Sequence, residues 1–172
     1  MSKVITFSRY FPKGHPRAGE PTYFVGKILI SLNNQDWDIV HDKNNPEKSL
    51  FELLPIDLTY PMRNPNPKFH TIRAGNRWKV GDKFSPRVWS GKPYNSPQII
   101  IAPDIEIKKV FQFTISGGEF WINDNIYDGM NIDFLEQIAA NDGLTRCDLL
   151  DWFKYPKPFQ GQIICWNESI NY

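Results

Sequence analysis

The chain has 172 residues, and its 20 lysines and arginines nearly balance its 19 aspartates and glutamates, so the formal net charge is +1. That balance excludes a uniformly basic protein that coats nucleic acid or an anionic membrane. One domain is the default at this length. The two cysteines have no metal-ligand or redox spacing. The chain also has no signal-peptide core and no apolar run of about 18 residues. We therefore predict a cytoplasmic protein without a membrane segment. The aromatic content of 15% is high, and the rings fit either a core or base-stacking surfaces.

The first part of the chain predicts one strand and one helix. Val4 to Phe7 is a short β-branched run, after which prolines and glycines exclude regular structure until about Thr22. Thr22 is a candidate N-cap for a helix that carries apolar residues at three- and four-residue spacing and ends at Asn33-Asn34. We interpret residues 33–65 as an ordered insertion with one helical turn near Ser49 to Leu54.

From Lys68 onward, short apolar runs separated by glycines indicate strands. The predicted strands are 69–73, 84–89, 99–101, 105–115 and a closing strand at 162–166. Two helices, 132–140 and 145–153, precede the closing strand, with Gly143 suited to the C-cap of the first and Thr145 to the N-cap of the second. The predicted fold class is α+β, a small mixed β-barrel with flanking helices in a single domain of residues 1–172.

The charges are segregated along the chain. Residues 62–94 carry eight basic residues and one acidic residue, whereas residues 115–153 carry eight acidic residues and one basic residue. The basic segment also contains Phe69, Trp78, Phe84, Trp89 and Tyr94. Basic residues interleaved with aromatics are typical of a groove that follows phosphates and stacks bases. The alternative is that the cations lie on solvated strand faces while the aromatics point inward.

One short segment combines residues that could carry chemistry. In Lys68-Phe-His-Thr71-Ile-Arg73, the lysine could act as general base for the Thr71 hydroxyl, and Arg73 lies on the same strand face as Thr71. A carboxylate would then be needed to position the lysine or to shuttle a proton. His70 neighbours Lys68, but we expect it to alternate to the opposite strand face, in a structural or surface role. The histidines at 15, 41 and 70 have no paired spacing, so we predict neither a metal site nor a cofactor.

The order of motifs along the chain resembles that of the ASCH domain, a branch of the PUA-like β-barrel superfamily. The resemblance rests on Ile5-Thr-Phe7 and a following helix, Lys68-x-x-Thr71-Ile-Arg73, Trp78-Lys-Val-Gly81-Asp82, Asp142-Gly-Leu and Asp148-Leu-Leu-Asp-Trp-Phe153. It implies a PUA-like barrel with a cleft in which the Lys-x-x-Thr-x-Arg strand faces a late acidic residue.

Short bacterial ASCH proteins are similar to N4-acetylcytidine amidohydrolases, and this resemblance implies roles for individual residues. Lys68 would be the base, Thr71 the nucleophile and Asp142, in the place of the family's glutamate, the proton shuttle. Arg73 would hold a phosphate or a substrate carbonyl.

Three functions therefore stay open. The first is a module that binds RNA or a nucleotide in a basic cleft, with further contacts from Arg73, Arg77, Trp78, Lys79 and Trp89. The second is an amidohydrolase acting on N4-acylated cytidine or a related modified nucleoside. The third is a pure interaction protein that uses its acidic C-terminal face. The sequence does not define the ligand, the role of the insertion or the oligomeric state.

Overall fold

The structure, a computed structural model, describes residues 3–33, 48–63, 66–128 and 131–172. In these ranges the chain forms five helices and nine strands. The helices are α1 (Phe24–Ser31), α2 (Leu50–Leu53), α3 (Pro55–Arg63), α4 (Ile132–Asn141) and α5 (Arg146–Trp152). The strands are β1 (Lys3–Thr6), β2 (His70–Ala74), β3 (Lys83–Trp89), β4 (Gln98–Ile100), β5 (Ile105–Glu106), β6 (Lys109–Ser116), β7 (Glu119–Ile122), β8 (Asn125–Asp128) and β9 (Phe159–Cys165). The fold is therefore mixed α+β.

The chain divides into two compact units, each built from separated segments. Unit 1 contains residues 1–67 and 83–105, and unit 2 contains residues 68–82 and 106–172. In unit 1, β1 pairs in parallel with β3, and β3 pairs antiparallel with β4 and also pairs with β5. Its core includes Phe84 and Val88 of β3 and Val25 and Ile28 of α1, all 0% exposed.

Unit 2 is an antiparallel sheet with two helices. Its strand order is β2-β9-β6-β7-β8, so β9 lies between β2 and β6. The apolar residues Phe113 and Ile163 of the sheet and Leu135 and Ile138 of α4 are fully or almost fully buried. Helices α4 and α5 begin at Asn131 and Thr145, whose side chains accept hydrogen bonds from Phe134 N and Asp148 N. This unit contains the Lys68 segment and Asp142.

Several predicted elements are confirmed. The helix after Thr22, the helical turn near Ser49, the two late helices and the closing strand all form, and Gly143 ends α4 with a φ of 73°. These elements have the clearest periodicity or end signals in the sequence.

Other elements differ from the prediction. Tyr23, with a φ of 59°, is the N-cap residue of α1 in place of Thr22. Helix α3 was not predicted, because its prolines suggest a loop although Pro55 occupies the first helical position, where its missing N–H costs nothing. The predicted strand 105–115 is interrupted at residues 107–108, where Ile107 bonds to Gly81 and Asp82 instead. Within the expected insertion, residues 34–47 and 64–65 lie outside the described residues.

The helices of the described ranges include none that is long and apolar enough to cross a bilayer.

Candidate functional site

Strand β2 carries residues of the candidate site, and Gly161 of β9 allows the two strands to lie close together. β2 pairs with β9 in a register that sets His70 opposite Cys165 and Arg73 opposite Gln162. At Gly161, an added Cβ would lie 2.2 Å from the carbonyl oxygen of Arg73. The close packing of β2 on β9 therefore requires glycine at position 161.

Lys68 and Asp142, 74 residues apart in the chain, form a buried ion pair. The Lys68 ammonium donates to Asp142 Oδ1 at 2.6 Å and to the Asp142 carbonyl oxygen at 2.5 Å. Lys68 is 1% exposed and Asp142 is 6% exposed. Opposite charges withdrawn from water in this way attract strongly but lose hydration, so such pairs occur where geometry and hydrogen bonding are favourable. The structure therefore brings Lys68 and Asp142 into direct contact.

Asp142 is held in place by the C-terminal end of α4. It is the C-cap residue of that helix, and the left-handed Gly143 that follows turns the chain so that its N–H bonds to Ala140 O. The N–H of Phe69 donates to the carbonyl of Asn141 at 2.8 Å, which fixes the chain beside Lys68 against the same helix end. A lysine ammonium also interacts favourably with the unpaired carbonyls of a helix C-terminus.

His70 lies beside the same carboxylate, which corrects the expectation that it faces away from Lys68. It is fully buried, and its Nε2 is 3.8 Å from Asp142 Oδ1. Residues 68 and 70 are two apart, so the alternation of an extended chain places them on one side. Loss of hydration and the nearby Lys68 charge lower the pKa of His70 well below its usual value, so the imidazole is neutral.

A chain of hydrogen bonds defines the tautomer of His70. Its Nε2 is 3.1 Å from the carbonyl oxygen of Ile138, which can only accept, so Nε2 carries the proton. Nδ1 then accepts from the hydroxyl of Tyr172 at 3.0 Å, and that hydroxyl accepts from the Asn141 side chain at 3.0 Å. Burial raises the pKa of Tyr172, so the hydroxyl keeps its proton. These contacts tie β2 to the end of α4 that carries Asp142.

Thr71 and Arg73 occupy the other face of β2. Thr71 is 4% exposed and Arg73 is partly buried. Burial lowers the pKa of Arg73, the negative charge of Asp142 opposes that change, and the positive charge of Arg77 adds to it. Arg73 therefore lies within the electrostatic field of the Lys68–Asp142 pair.

The thiol of Cys165 lies in the same part of the sheet but is not a reactive group. Cys165, which is opposite His70 in the sheet, is fully buried, and burial raises its pKa to about 12. The thiolate is the nucleophilic form of cysteine, so this side chain is unreactive at neutral pH.

The remaining predicted binding residues divide by exposure. Arg77 and Lys79 are exposed. Trp78 is only 2% exposed, and the Gln162 side chain accepts from its backbone N–H and donates to its carbonyl. This burial favours the core role of Trp78 over base stacking. Trp89 is partly exposed and belongs to unit 1.

Sequence reasoning missed two parts of this arrangement. The alternation of Lys68 and His70 is a signal that could have placed the histidine beside the site. Tyr172 gave no comparable signal, because it is 102 residues from His70 and nothing in its local sequence indicates the contact. Among the described residues, no three histidine, cysteine, aspartate or glutamate side chains are grouped so that they could hold a metal ion.

Comparisons of the chain with models of protein families, with curated proteins and with solved structures give no significant match.

Proposed function

We propose that the protein binds RNA or a nucleotide, and that the Lys68–Asp142 pair and strand β2 form the ligand site. The observation that carries this proposal is the 2.6 Å contact between two almost completely buried charges. Burying such a pair adds little or nothing to stability compared with apolar packing. Functional sites are places where proteins bury and pair charged groups.

The exposure of the basic residues supports two kinds of contact in this site, one with phosphates and one with a base. Arg77 and Lys79 are exposed and can reach the phosphates of a strand, whereas Lys68 and Asp142 are withdrawn. A carboxylate beside an ammonium offers one acceptor and one donor, which matches the amino group and the ring nitrogen or carbonyl of a cytosine edge. We also propose that the sheet and helices of unit 2 are part of an ASCH-like, PUA-like barrel.

The binding proposal is tested by measuring the affinity of the full chain for a single-stranded RNA as salt is raised from about 50 to about 200 mM. Each phosphate contact contributes about 0.7 to the slope of log affinity against log salt for single strands. We expect Arg77→Ala and Lys79→Ala each to weaken binding and reduce that slope. Lys157→Ala, an exposed lysine of the same unit, is the matched control. Binding that is absent, or equally affected by Lys157→Ala, contradicts the proposal.

A second candidate function is hydrolysis of an N4-acylated cytidine, and the contact of Lys68 with Asp142 favours it. The Lys68 ammonium would first pass a proton to the Asp142 carboxylate, and the neutral amine would then accept the proton of the Thr71 hydroxyl as that hydroxyl attacks the acyl carbonyl. The C–N bond would then break, the amine of cytidine would take a proton by way of Asp142, and water would release the acid from the Thr71 ester. The proton count balances, because one water is consumed and one carboxylic acid and one amine are formed.

The hydrolase candidate is tested by incubating the protein with N4-acetylcytidine and measuring cytidine. Thr71→Val and Lys68→Met should each abolish turnover, because one lacks the nucleophile and the other lacks the base. Thr114→Val, a partly buried strand threonine in the same unit, should retain it. No cytidine from the unmodified protein, or cytidine formed by Lys68→Met at the normal rate, excludes hydrolysis while leaving nucleotide binding intact.

A further inference from the structure

The loop between β3 and β4 in unit 1 carries an aromatic pair that the site in unit 2 does not use. Tyr94 is 88% exposed, the largest exposure among the exposed large hydrophobic residues described. Its ring centroid is 5.3 Å from that of Trp89, which ends β3, and the ring planes are inclined by 51°. An aromatic pair with this much of one ring in solvent offers a face on which a planar ligand can stack.

The backbone of this loop is held in one conformation. Ser90 N–H donates to Pro97 O at 2.9 Å, Gly91 N–H donates to the Ser96 hydroxyl at 3.0 Å, and that hydroxyl donates to Lys92 O at 3.0 Å. Tyr94 itself has a φ of 65°, a left-handed conformation that costs free energy for any residue with a side chain. The fold therefore maintains a strained backbone that displays an aromatic ring to solvent.

A buried ion pair braces the base of the loop. Arg9 donates to the carbonyl of Ser90 at 3.1 Å, and its Nε and one terminal nitrogen donate to Asp57 Oδ2 at 3.0 and 2.8 Å. Asp57 is 1% exposed, and burial raises its pKa. Helix α3, which carries Asp57, is thereby linked to the loop, so ordering the loop costs little when a ligand binds.

The charge around the aromatic pair identifies the kind of ligand. Residues 83–103 contain Lys83, Arg87 and Lys92 and no acidic residue. Arg87 and Trp89 are two residues apart and share one face of β3, and the Arg87 guanidinium is oriented by Ser85 Oγ and Gln98 Oε1 at 3.1 and 3.3 Å. Cations that attract phosphates beside rings that stack bases are the two components of a surface for single-stranded nucleic acid.

We propose that the β3–β4 loop is a second nucleic-acid contact, in which Tyr94 and Trp89 stack an unpaired base of single-stranded RNA while Arg87 and Lys92 bind the adjoining phosphates. This proposal deepens the proposed RNA binding and rests on it for the identity of the strand, but its residues belong to unit 1 rather than to the Lys68–Asp142 site. A duplex cannot use this surface in the same way, because its bases are already stacked on each other.

The test measures binding of the full chain to a fluorescein-labelled oligouridylate of about twelve nucleotides. We expect Tyr94→Ala to weaken binding about tenfold, as the loss of one stacked base does, without changing the salt slope. Lys92→Ala should instead lower the slope by about 0.7. Phe51→Ala, which removes another exposed aromatic ring from unit 1, is the matched control and should bind normally.

Two further measurements separate this proposal from the first. An oligonucleotide with abasic positions should bind the unmodified protein more weakly, and this difference from the intact strand should be smaller in Tyr94→Ala. Cytidine 5′-monophosphate should still bind to Tyr94→Ala through the Lys68–Asp142 site. Unchanged oligouridylate affinity in Tyr94→Ala, or equal affinity for a duplex of the same length, overturns the loop proposal, whereas failure of the monophosphate to bind counts against the other site alone.

Discussion

Removing one member of the Lys68–Asp142 pair should strongly destabilise unit 2, even though the intact pair adds little stability. Each is almost completely buried, so removing one leaves the other as an unpaired charge in an environment of low polarity. An exposed pair in the same chain, Arg17 and Glu20 at 2.7 Å, retains side-chain exposures of 42% and 56%. Water screens that pair, and its contribution should be small.

We predict that Asp142→Ala lowers the free energy of unfolding by about 3–5 kcal/mol, whereas Glu20→Ala lowers it by at most about 1 kcal/mol. Urea unfolding followed by circular dichroism measures both. The double variant Lys68→Met with Asp142→Ala should be more stable than Asp142→Ala alone, because no buried charge is then left without its partner. Equal losses in Asp142→Ala and Glu20→Ala would contradict this account of the pair.

His70 gives the stability a pH dependence whose direction can be derived. Its pKa is lowered well below the usual 6.5 in the folded state, so below about pH 6.5 the unfolded chain binds a proton that the folded chain does not. The stability contribution is therefore complete above that pH and is lost as the pH falls from about 6.5 toward the folded pKa. We predict a loss of up to about 1.4 kcal/mol per pH unit between about pH 6.5 and 5, measured by urea unfolding.

Two variants separate the charge effect from the hydrogen bond. His70→Gln should remove this part of the pH dependence, because glutamine does not titrate. Tyr172→Phe should retain the slope, since loss of hydration is the main cause of the pKa shift, but should lower stability by about 1 kcal/mol through loss of the hydroxyl donor. A slope that persists unchanged in His70→Gln would assign the pH dependence to other groups.

At the scale of secondary-structure elements, the approach of β2 to β9 decides where the site residues lie. An alanine at position 161 would place its Cβ 2.2 Å from Arg73 O and 2.9 Å from a ring carbon of Phe159. Because the first of these atoms is backbone, the strand itself must move. We predict that Gly161→Ala lowers the free energy of unfolding by about 1–3 kcal/mol or more and weakens nucleotide binding, since β2 carries Thr71 and Arg73.

Gly91→Ala is the matched control for the strand prediction. Its added Cβ would meet only the Ser96 side chain at 3.6 Å, an ordinary van der Waals contact. Its unfolding free energy, measured by the same denaturant titration, should change by less than about 0.5 kcal/mol. A Gly161→Ala protein as stable as Gly91→Ala would show that β2 and β9 separate without cost.

The sequence predicts elements well where the signal is local. Apolar spacing located α1 and α4, and Gly143 located the end of α4. Prediction from the sequence fails where prolines or polar residues mask the apolar pattern of an element. Examples are α3 and the β7–β8 hairpin, which is rich in asparagine and aspartate. That a late acidic residue faces the Lys68 strand was implied by a family resemblance. Nothing in the sequence indicated the contact of Tyr172 with His70, because a hydrogen bond across 102 residues is determined by tertiary packing alone.

At the scale of the whole molecule, the net charge of +1 conceals a separation of charge that bears directly on RNA binding. Eight of the cations are in residues 62–94 and eight of the acidic residues are in residues 115–153. At physiological salt, charges on the surface act over about 8 Å. Binding to a phosphate chain should therefore depend on the cations near the strand rather than on the total.

We predict that changing the total charge and changing the local charge have different effects on RNA affinity. Reversing two exposed acidic residues, Glu136→Lys with Asp151→Lys, raises the net charge from +1 to +5, since each reversal adds two charges. This variant should alter the affinity for single-stranded RNA by less than about threefold at about 0.15 M salt. Arg77→Ala with Lys79→Ala lowers the net charge only from +1 to −1, yet should lower the salt slope by about 1.4, two phosphate contacts at about 0.7 each.

Fluorescence anisotropy of one labelled strand across a salt series measures both variants on the same scale. If the acidic reversal instead raises affinity by as much as the basic neutralisation lowers it, the field of the whole molecule governs binding and Arg77 and Lys79 are not specific contacts. If the acidic reversal abolishes binding, the acidic helical face is itself part of the interface. We expect the two variants to differ, because a phosphate chain that lies against residues 73–79 is attracted by the cations it touches, whereas salt screens charges that lie more than about 8 Å away.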